Sequence, residues 1–332
     1  MLQQASQYPG TAQVVKPVDI DPSIPNGNNF ARGVTILLRH AGCETDYLTV
    51  MGDLGEAFIL SGTEYDAKLT GGYADLGWWP LDRWHIVSRL PFLAWVNGVA
   101  LSHRDVDFSG VAPDPAAAYA RLFQATVCRE INADRALLAC WDGCHVITSY
   151  DTQSPPLLGW CLFGDKPEQM RMNDYPCAIT TYGARSEVMD RAYADMQALS
   201  HAVDLGRGMV KCGLWVTGPL AWQGWKENLL RRQTEHFWHG NVKGLLEMAR
   251  RAAIRYLEVM AARHAVGVAE KLYQAAGIYG KQLEVLESMP TGPEISRPGK
   301  DQADLADRIN QAAMLDLEAI TSLQAAVGLM AG

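Results

Sequence analysis

The pattern of hydrophobic and polar positions predicts an N-terminal arm followed by short elements in the first half of the chain. Residues 1–30 are rich in Pro, Gly, Gln and Asn, a composition that predicts an extended arm. Residues 34–38 form a short apolar run. Residues 71–99 hold several tryptophans between glycines and prolines, which predicts loops and short strands along one side of a core or cleft.

A helix is predicted to begin at Cys43. Gly42, a residue that disfavours the interior of a helix, directly precedes it, and apolar residues follow through residue 59. Glu44 and Asp46 place negative charge in the first turn, as is typical of a helix start. A thiol at a helix start is stabilised as the thiolate by the helix dipole. Cys43 is therefore the first candidate nucleophile.

A second helix and three strands are predicted further along. Residues 115–131 favour a helix with Asp114 as N-cap and Pro115 at the first helical position. Apolar and β-branched runs then predict strands at residues 136–141, 145–150 and 160–163. We expect these strands to form a sheet with the Cys43 helix buried against it.

Helical patterns replace strand patterns after about residue 186 and predict a bundle of five or six helices. Two alanine-rich segments, 252–260 and 275–283, resemble each other, but two copies fall short of the three that a solenoid needs. The predicted fold class is α+β. The predicted organisation is an arm at 1–30, a sheet-containing domain at 31–183 and a helical domain at 184–332.

Composition narrows the classes of function. The net charge is −8, and no basic cluster exceeds two arginines, which argues against a nucleic-acid partner. The N-terminus lacks the pattern of a secretory signal, and no window approaches the length of apolar sequence that spans a membrane. Seven cysteines without regular spacing indicate a reduced, cytoplasmic protein. Phosphate-binding glycine motifs are absent from the sequence, and no cofactor or metal is predicted.

His145 is the predicted base for the Cys43 thiol, because it opens a β-prone stretch that would point it into a cleft. The imidazole then needs a carboxylate or amide to orient it. Asp165, after the next strand, is the first candidate for that role, and Asp151 is the alternative. The oxyanion hole would use the Cys43 backbone N–H, with His40 or an Asn of the 26–29 segment as candidates for the second donor.

Two further sets of residues are candidates for a functional role. His40, Trp78 and Trp79 are candidate lining of a substrate cleft. The string Cys140-Trp-Asp-Gly-Cys144-His145 is close to a haem-attachment motif and holds three zinc-ligand types, but a tetrahedral zinc site would need a fourth ligand. Two core cysteines flanking a hairpin is the preferred interpretation.

The strings Gly-Cys43-Glu-Thr and His145-Val-Ile-Thr-Ser-Tyr-Asp resemble the butirosin-biosynthesis-protein-H N-terminal family over roughly residues 30–180. The family has Gly where this chain has Ser149. The resemblance implies a papain-like core, close to that of bacteriocin-processing peptidases, with an antiparallel sheet and a following helical bundle. It also implies acyl transfer from a carrier-protein or other acyl thioester to a small-molecule amine, with Cys43 and His145 as the residues carried over.

These observations predict a cysteine-dependent acyltransferase or amidase, acting through a Cys43 thioester, in small-molecule or natural-product biosynthesis. A cysteine peptidase belongs to the same class of chemistry. The alternative from a different class is a non-catalytic papain-like protein that serves in binding or assembly. A homo-oligomer is compatible with either function.

Overall fold

The computed structural model describes residues 12–16, 18–20, 28–63, 80–105, 114–140, 143–151, 156–162, 167–172, 175–211, 215–232, 236–292, 295 and 299–332. These residues form an α+β chain that divides into two compact units. The first unit comprises Met1–Val50 with Leu90–Met189, and the second comprises Met51–Arg89 with Asp190–Gly332. The predicted domain 31–183 differs from the first unit, because residues 51–89 belong to the helical second unit.

The elements of the described residues follow in chain order, with helices and strands numbered separately: β1 (Ala12–Gln13), α1 (Asn29–His40), α2 (Tyr47–Leu54), β2 (Ser61–Thr63), α3 (Pro80–Asn97), β3 (Val99–Asp105), α4 (Pro115–Leu122), α5 (Gln124–Asn132), β4 (Leu137–Cys140), β5 (Cys144–Tyr150), β6 (Leu157–Cys161), β7 (Glu168–Arg171), β8 (Ala178–Arg185), α6 (Arg191–Gly206), β9 (Trp215–Thr217), α7 (Pro219–Arg232), α8 (His236–Ala261), α9 (Val266–Glu287) and α10 (Lys300–Ala331).

The sheet of the first unit is antiparallel, with the strand order β3-β8-β4-β5-β6-β7 and β1 added against β5. Residues directly opposite each other on neighbouring strands point to the same face of a sheet. One row across the sheet consists of His103, Thr180, Leu138 and Val146. The next row, which points to the other face, consists of Arg104, Ile179, Ala139 and His145.

Helix α1 covers the face that carries Leu138. Gly33 lies so close to Leu138 that a Cβ atom there would sit 2.2 Å from a leucine methyl group. The ring of Phe30 packs edge-on against His103 at a centroid distance of 5.9 Å. Leu138 and His103 belong to one row of the sheet, so α1 packs on the face to which that row points.

Helices α4 and α5 cover the opposite face with an apolar core. Asp114 caps α4 by accepting a hydrogen bond from the N–H of Ala116 at 3.2 Å, and Pro115 occupies the first turn, which confirms the predicted helix start. The helix predicted at 115–131 is divided at Phe123. The buried residues between these helices and the sheet include Phe123, Val127, Ile131, Leu137, Ala139, Ile147 and Ile179.

The second unit has its own apolar core beneath helices α7 to α10. Its buried members include Trp222, Trp225, Leu229, Leu246, Leu286, Leu305, Ile309 and Ala312. Helix α10 is long and apolar enough, by length and composition alone, to cross a membrane. One face of α10 is buried in this core, and such packing is also typical of a core helix.

Several element predictions are corrected by the structure. The apolar run 34–38 lies inside α1, and α3 occupies much of the 71–99 segment that was predicted to be loops and strands. The short pair β2–β9 places a strand after residue 186, where no strand was expected. The predicted strands at 136–141, 145–150 and 160–163 correspond to β4, β5 and β6, the last beginning earlier than expected.

Candidate functional site

Cys43 ends one helix and does not begin another. Gly42 has a φ of +85°, a left-handed conformation that suits glycine at the end of a helix. Its N–H donates to the carbonyl of Arg39 at 2.8 Å, and the N–H of Cys43 donates to the carbonyl of Leu38 at 2.9 Å. This pair of bonds is the Schellman motif that terminates α1. The N–H of Cys43, predicted to serve an oxyanion hole, is therefore already used.

The thiol of Cys43 is poorly placed for nucleophilic chemistry. Its Sγ donates to the carbonyl oxygen of Asn97 at 3.5 Å, and the side chain is 9% exposed. Burial raises the pKa of the thiol, and the nearby Arg185 offsets only part of that shift. Helix α2 begins at Tyr47, where Asp46 accepts from the N–H of Thr49 at 2.8 Å. Cys43 thus precedes the cap, and a helix dipole acts mainly within the first turn.

The structure separates Cys43 from His145. Arg185, at one end of β8, donates to the carbonyl of Gly42, whereas His145 lies in the row of Ile179, near the other end of β8. Six residues of strand correspond to roughly 20 Å. His145 also shares its row with Ala139, on the face opposite to α1. This arrangement contradicts the predicted Cys43–His145 dyad.

The structure does not bring Asp151, the alternative orienting residue, to the imidazole of His145. Asp151 follows β5 at the end opposite to His145, about 20 Å along the strand. Its carboxylate accepts hydrogen bonds from Arg171, one of them at 3.0 Å, so it is an ion-pair partner and does not orient the imidazole. Asp165, Trp78 and Trp79 lie outside the described residues.

His40 is a buried structural histidine. Its Nδ1 lies 2.6 Å from the hydroxyl of Tyr182, and its Nε2 lies 3.3 Å from the carbonyl of Lys16. Burial lowers the pKa of His40 and raises the pKa of Tyr182 to about 12, so a neutral imidazole accepts from a protonated phenol. With 3% exposure, His40 is excluded from the predicted roles of cleft lining and oxyanion donor.

The alternation of side chains along β5 excludes a zinc site formed by Cys140, Cys144 and His145. Cys140 and Cys144 stand opposite each other on β4 and β5, and His145 points to the other face of the sheet. Within the described part of the chain, no group of three His, Cys, Asp or Glu side chains could hold a metal ion.

A row of polar side chains on the α1 face has the residue types of a catalytic triad. Nδ1 of His103 lies 2.8 Å from Oγ1 of Thr180, and Nε2 lies 3.0 Å from a carboxylate oxygen of Asp105. Thr180 is completely buried, however, and Phe30 packs against the imidazole. A hydroxyl that no substrate can reach cannot serve as a nucleophile, so this row has a structural role.

The site with the most distinctive chemistry is a cavity of about 200 Å³ between α5 and the β3–β8 edge of the sheet. We call it the arginine pocket. It is lined by Ala100, Ser102, Arg104, Thr126, Arg129, Glu130, Arg135, Ile179, Thr181, Tyr182 and Gly183.

The charges of the arginine pocket do not balance. Glu130 is buried, and its two carboxylate oxygens accept from the Nε atoms of Arg129 at 2.8 Å and Arg135 at 2.6 Å. Arg104 adds a third guanidinium from the edge strand. Among the lining residues, three arginines and one carboxylate sum to a charge of +2, in a chain whose net charge is −8.

The arginine pocket is also lined by neutral donors. Ser102 and Thr181 stand directly opposite each other on β3 and β8, so their side chains share one face. Their neighbours Arg104 and Ile179 form the next pair on that face. Two hydroxyls beside guanidinium groups are donors that suit the oxygen atoms of an anion.

Neither a scan against models of protein families nor a search of curated proteins found a match to this chain. Its function is therefore inferred from the residues and geometry of the site.

Sequence reasoning missed the arginine pocket. Arg104, Glu130 and Thr181 come from three separate parts of the chain and meet because β3 pairs with β8 and α5 packs beside that pair. One local signal was present: the adjacent charges Arg129-Glu130 stand near the end of α5, and Arg135 follows shortly after the helix. A carboxylate between two arginines at such a place could have marked a buried ion pair.

Proposed function

We propose that this protein is a binding protein that holds a small oxyanion, a carboxylate or a phosphate, in the arginine pocket. The observation that supports this proposal is the excess of guanidinium groups around Glu130. A buried carboxylate needs a partner, and Arg129 and Arg135 meet that need through both of its oxygens. Arg104 is not part of this ion pair, so its guanidinium can bind a ligand.

The ligand is small. A volume of about 200 Å³ lies below the range of about 300–1,000 Å³ that is typical of sites for drug-sized molecules. Guanidinium groups bind planar carboxylates and phosphate oxygens through paired N–H donors, and such charge-assisted bonds are stronger than neutral ones. The hydroxyls of Ser102 and Thr181 would complete the coordination of a ligand with several oxygens.

Binding is better supported than covalent catalysis. The acyl transfer expected from the sequence requires a thiolate beside an imidazole. Cys43 follows Gly42, which contacts Arg185 at one end of β8, whereas His145 lies in the row of Ile179 near the other end and on the face opposite to α1. The lining residues of the described cavity include neither cysteine nor histidine. If the core is papain-like, as the sequence motifs imply, this chain uses it as a binding scaffold.

A thermal unfolding experiment tests the proposal. Inorganic phosphate and malonate should raise the midpoint of unfolding relative to sodium chloride at equal ionic strength, because a ligand that binds the folded state stabilises it. Glycerol, which is small and uncharged, should not act in this way at the same concentration. Arg104→Ala should reduce the shift, whereas Arg121→Ala, an exposed arginine of α4 outside the pocket, should retain it in full. Equal shifts in the two variants would refute the proposal.

A further inference from the structure

Cys140 and Cys144 form a pair of thiols that face each other across the β4–β5 hairpin. They occupy one register position, and their Sγ atoms lie 3.2 Å apart. Both side chains are buried, Cys140 at 2% and Cys144 at 9% exposure. The arginine pocket does not include either residue, and the proposed binding function does not use them.

The backbone geometry at this pair suits a disulfide. The carbonyl of Cys140 accepts from the N–H of Cys177 at 2.9 Å, and the carbonyl of Cys144 accepts from the N–H of Leu162 at 3.2 Å. Each carbonyl thus bonds to an outer neighbour, which makes Cys140 and Cys144 a non-hydrogen-bonded pair. Such pairs have Cα atoms about 4.5 Å apart. That spacing lies within the range of about 4.4–6.8 Å found for disulfides.

We propose that Cys140 and Cys144 form a reversible intramolecular disulfide when the protein meets a low-molecular-weight disulfide. The Cys144 thiol is the more exposed, so its thiolate attacks one sulfur of the oxidant and releases one thiol. Cys140 then attacks Sγ of Cys144 in this mixed disulfide and releases the second thiol. Two protein thiols are oxidised to one disulfide while one molecule of oxidant is reduced to two thiols.

The neighbouring cysteines provide controls in the same sheet. Cys161 stands opposite His145, in the row that points away from the pair. Cys177 donates its thiol hydrogen to the carbonyl of Cys140 at 3.0 Å. Proximity in the sheet does not make either of them part of the facing pair, so the proposal predicts one particular disulfide among several nearby thiols.

Mass spectrometry tests the proposal on the full chain. Folded protein is incubated with glutathione disulfide, denatured, treated with iodoacetamide and digested with chymotrypsin. Because Trp141 lies between the two cysteines, cleavage there leaves them joined only by a disulfide. The expected product is a linked pair of peptides carrying Cys140 and Cys144, with loss of two alkyl groups, and dithiothreitol should restore both.

Variants make the assignment specific. Cys161→Ser should still yield the linked peptides, whereas Cys144→Ser should leave Cys140 alkylated or bearing glutathione. Circular dichroism of each variant shows whether it remains folded. Full alkylation of Cys140 and Cys144 in folded, oxidant-treated wild-type protein would overturn the proposal. So would a main product that links either residue to Cys161 or Cys177.

Discussion

The backbone N–H of Cys43 donates a 2.9 Å hydrogen bond to the carbonyl oxygen of Leu38. This bond makes Cys43 the final residue of the motif that ends α1. The same residue would have to open a helix, with its N–H free, to act as the nucleophile of a papain-like enzyme. One hydrogen bond therefore distinguishes the structural role of Cys43 from the catalytic one.

Cys43 should react slowly with alkylating agents. Burial raises the pKa of its thiol, so the thiolate fraction at neutral pH is smaller than that of a free cysteine. We expect iodoacetamide labelling of Cys43 in the folded protein to have a midpoint above the free-thiol value of about 8.5. Protein unfolded in guanidinium provides the reference rate. Preferential labelling of Cys43 below pH 7 would contradict this expectation and restore the catalytic interpretation.

Replacing Gly42 should destabilise the end of α1. Gly42→Ala forces a side chain into a left-handed conformation at φ +85°, which costs roughly 1–2 kcal/mol. The new Cβ would also lie 3.1 Å from a nitrogen of Arg185. Gly244→Ala is the matched control, because Gly244 is an exposed helical residue of α8 with open space around it. Urea unfolding should show the first variant less stable and the second more stable, by about 1 kcal/mol.

The buried ion pair of the second unit gives a prediction about stability. Arg250 and Asp316 lie 2.9 Å apart, and Asp316 also accepts from the indole N–H of Trp222 at 2.9 Å. Asp316→Ala leaves the buried guanidinium of Arg250 without its carboxylate partner and should cost roughly 3–5 kcal/mol of unfolding free energy. Glu287→Ala removes an exposed ion-pair partner of Arg251 and should cost less than about 1 kcal/mol. Equal losses in urea unfolding would contradict this account.

His239 should make the second unit sensitive to acid. Burial lowers its pKa to about 4, and Nε2 lies 3.0 Å from the carbonyl of Pro290. Below about pH 6.5 the imidazole of His239 binds a proton in the unfolded chain but stays neutral in the folded state. The free energy of unfolding therefore falls as the pH drops from 6.5 towards 4. The free energy of unfolding falls by up to about 1.4 kcal/mol per pH unit in this range. In urea unfolding at pH 7 and pH 5, His239→Gln should lose less stability than wild type; an equal loss would exclude this role.

Local signals predicted the elements whose boundaries are set by neighbouring residues. Asp114 and Pro115 mark the start of α4, and the β-prone stretch from His145 lies within β5. Gly42 shows where local signals mislead, because a glycine beside acidic residues indicates either the end of one helix or the start of the next. The Schellman bonds decide between them, and they depend on α1, whose apolar positions were not recognised as a helix.

Long-range pairing explains why the site could not be predicted. The strand order β3-β8-β4-β5 brings Arg104 beside Ile179 and places His145 two strands further along the same row. The alternation of side chains along β5 then decides which face receives His145. Neither the strand order nor the choice of face is encoded in the spacing between Cys43 and His145.

Isothermal titration calorimetry of the arginine pocket tests the central claim most directly. Inorganic phosphate and malonate, titrated separately into wild-type protein, Arg104→Ala and Arg121→Ala, should bind wild type at one site. A hydrogen bond to a charged group contributes about 1.5–3 kcal/mol, so Arg104→Ala should weaken binding by about tenfold or more. Arg121→Ala should bind like wild type. Unchanged affinity in Arg104→Ala, or no binding of either anion to wild-type protein, would contradict the claim that this pocket holds a small oxyanion.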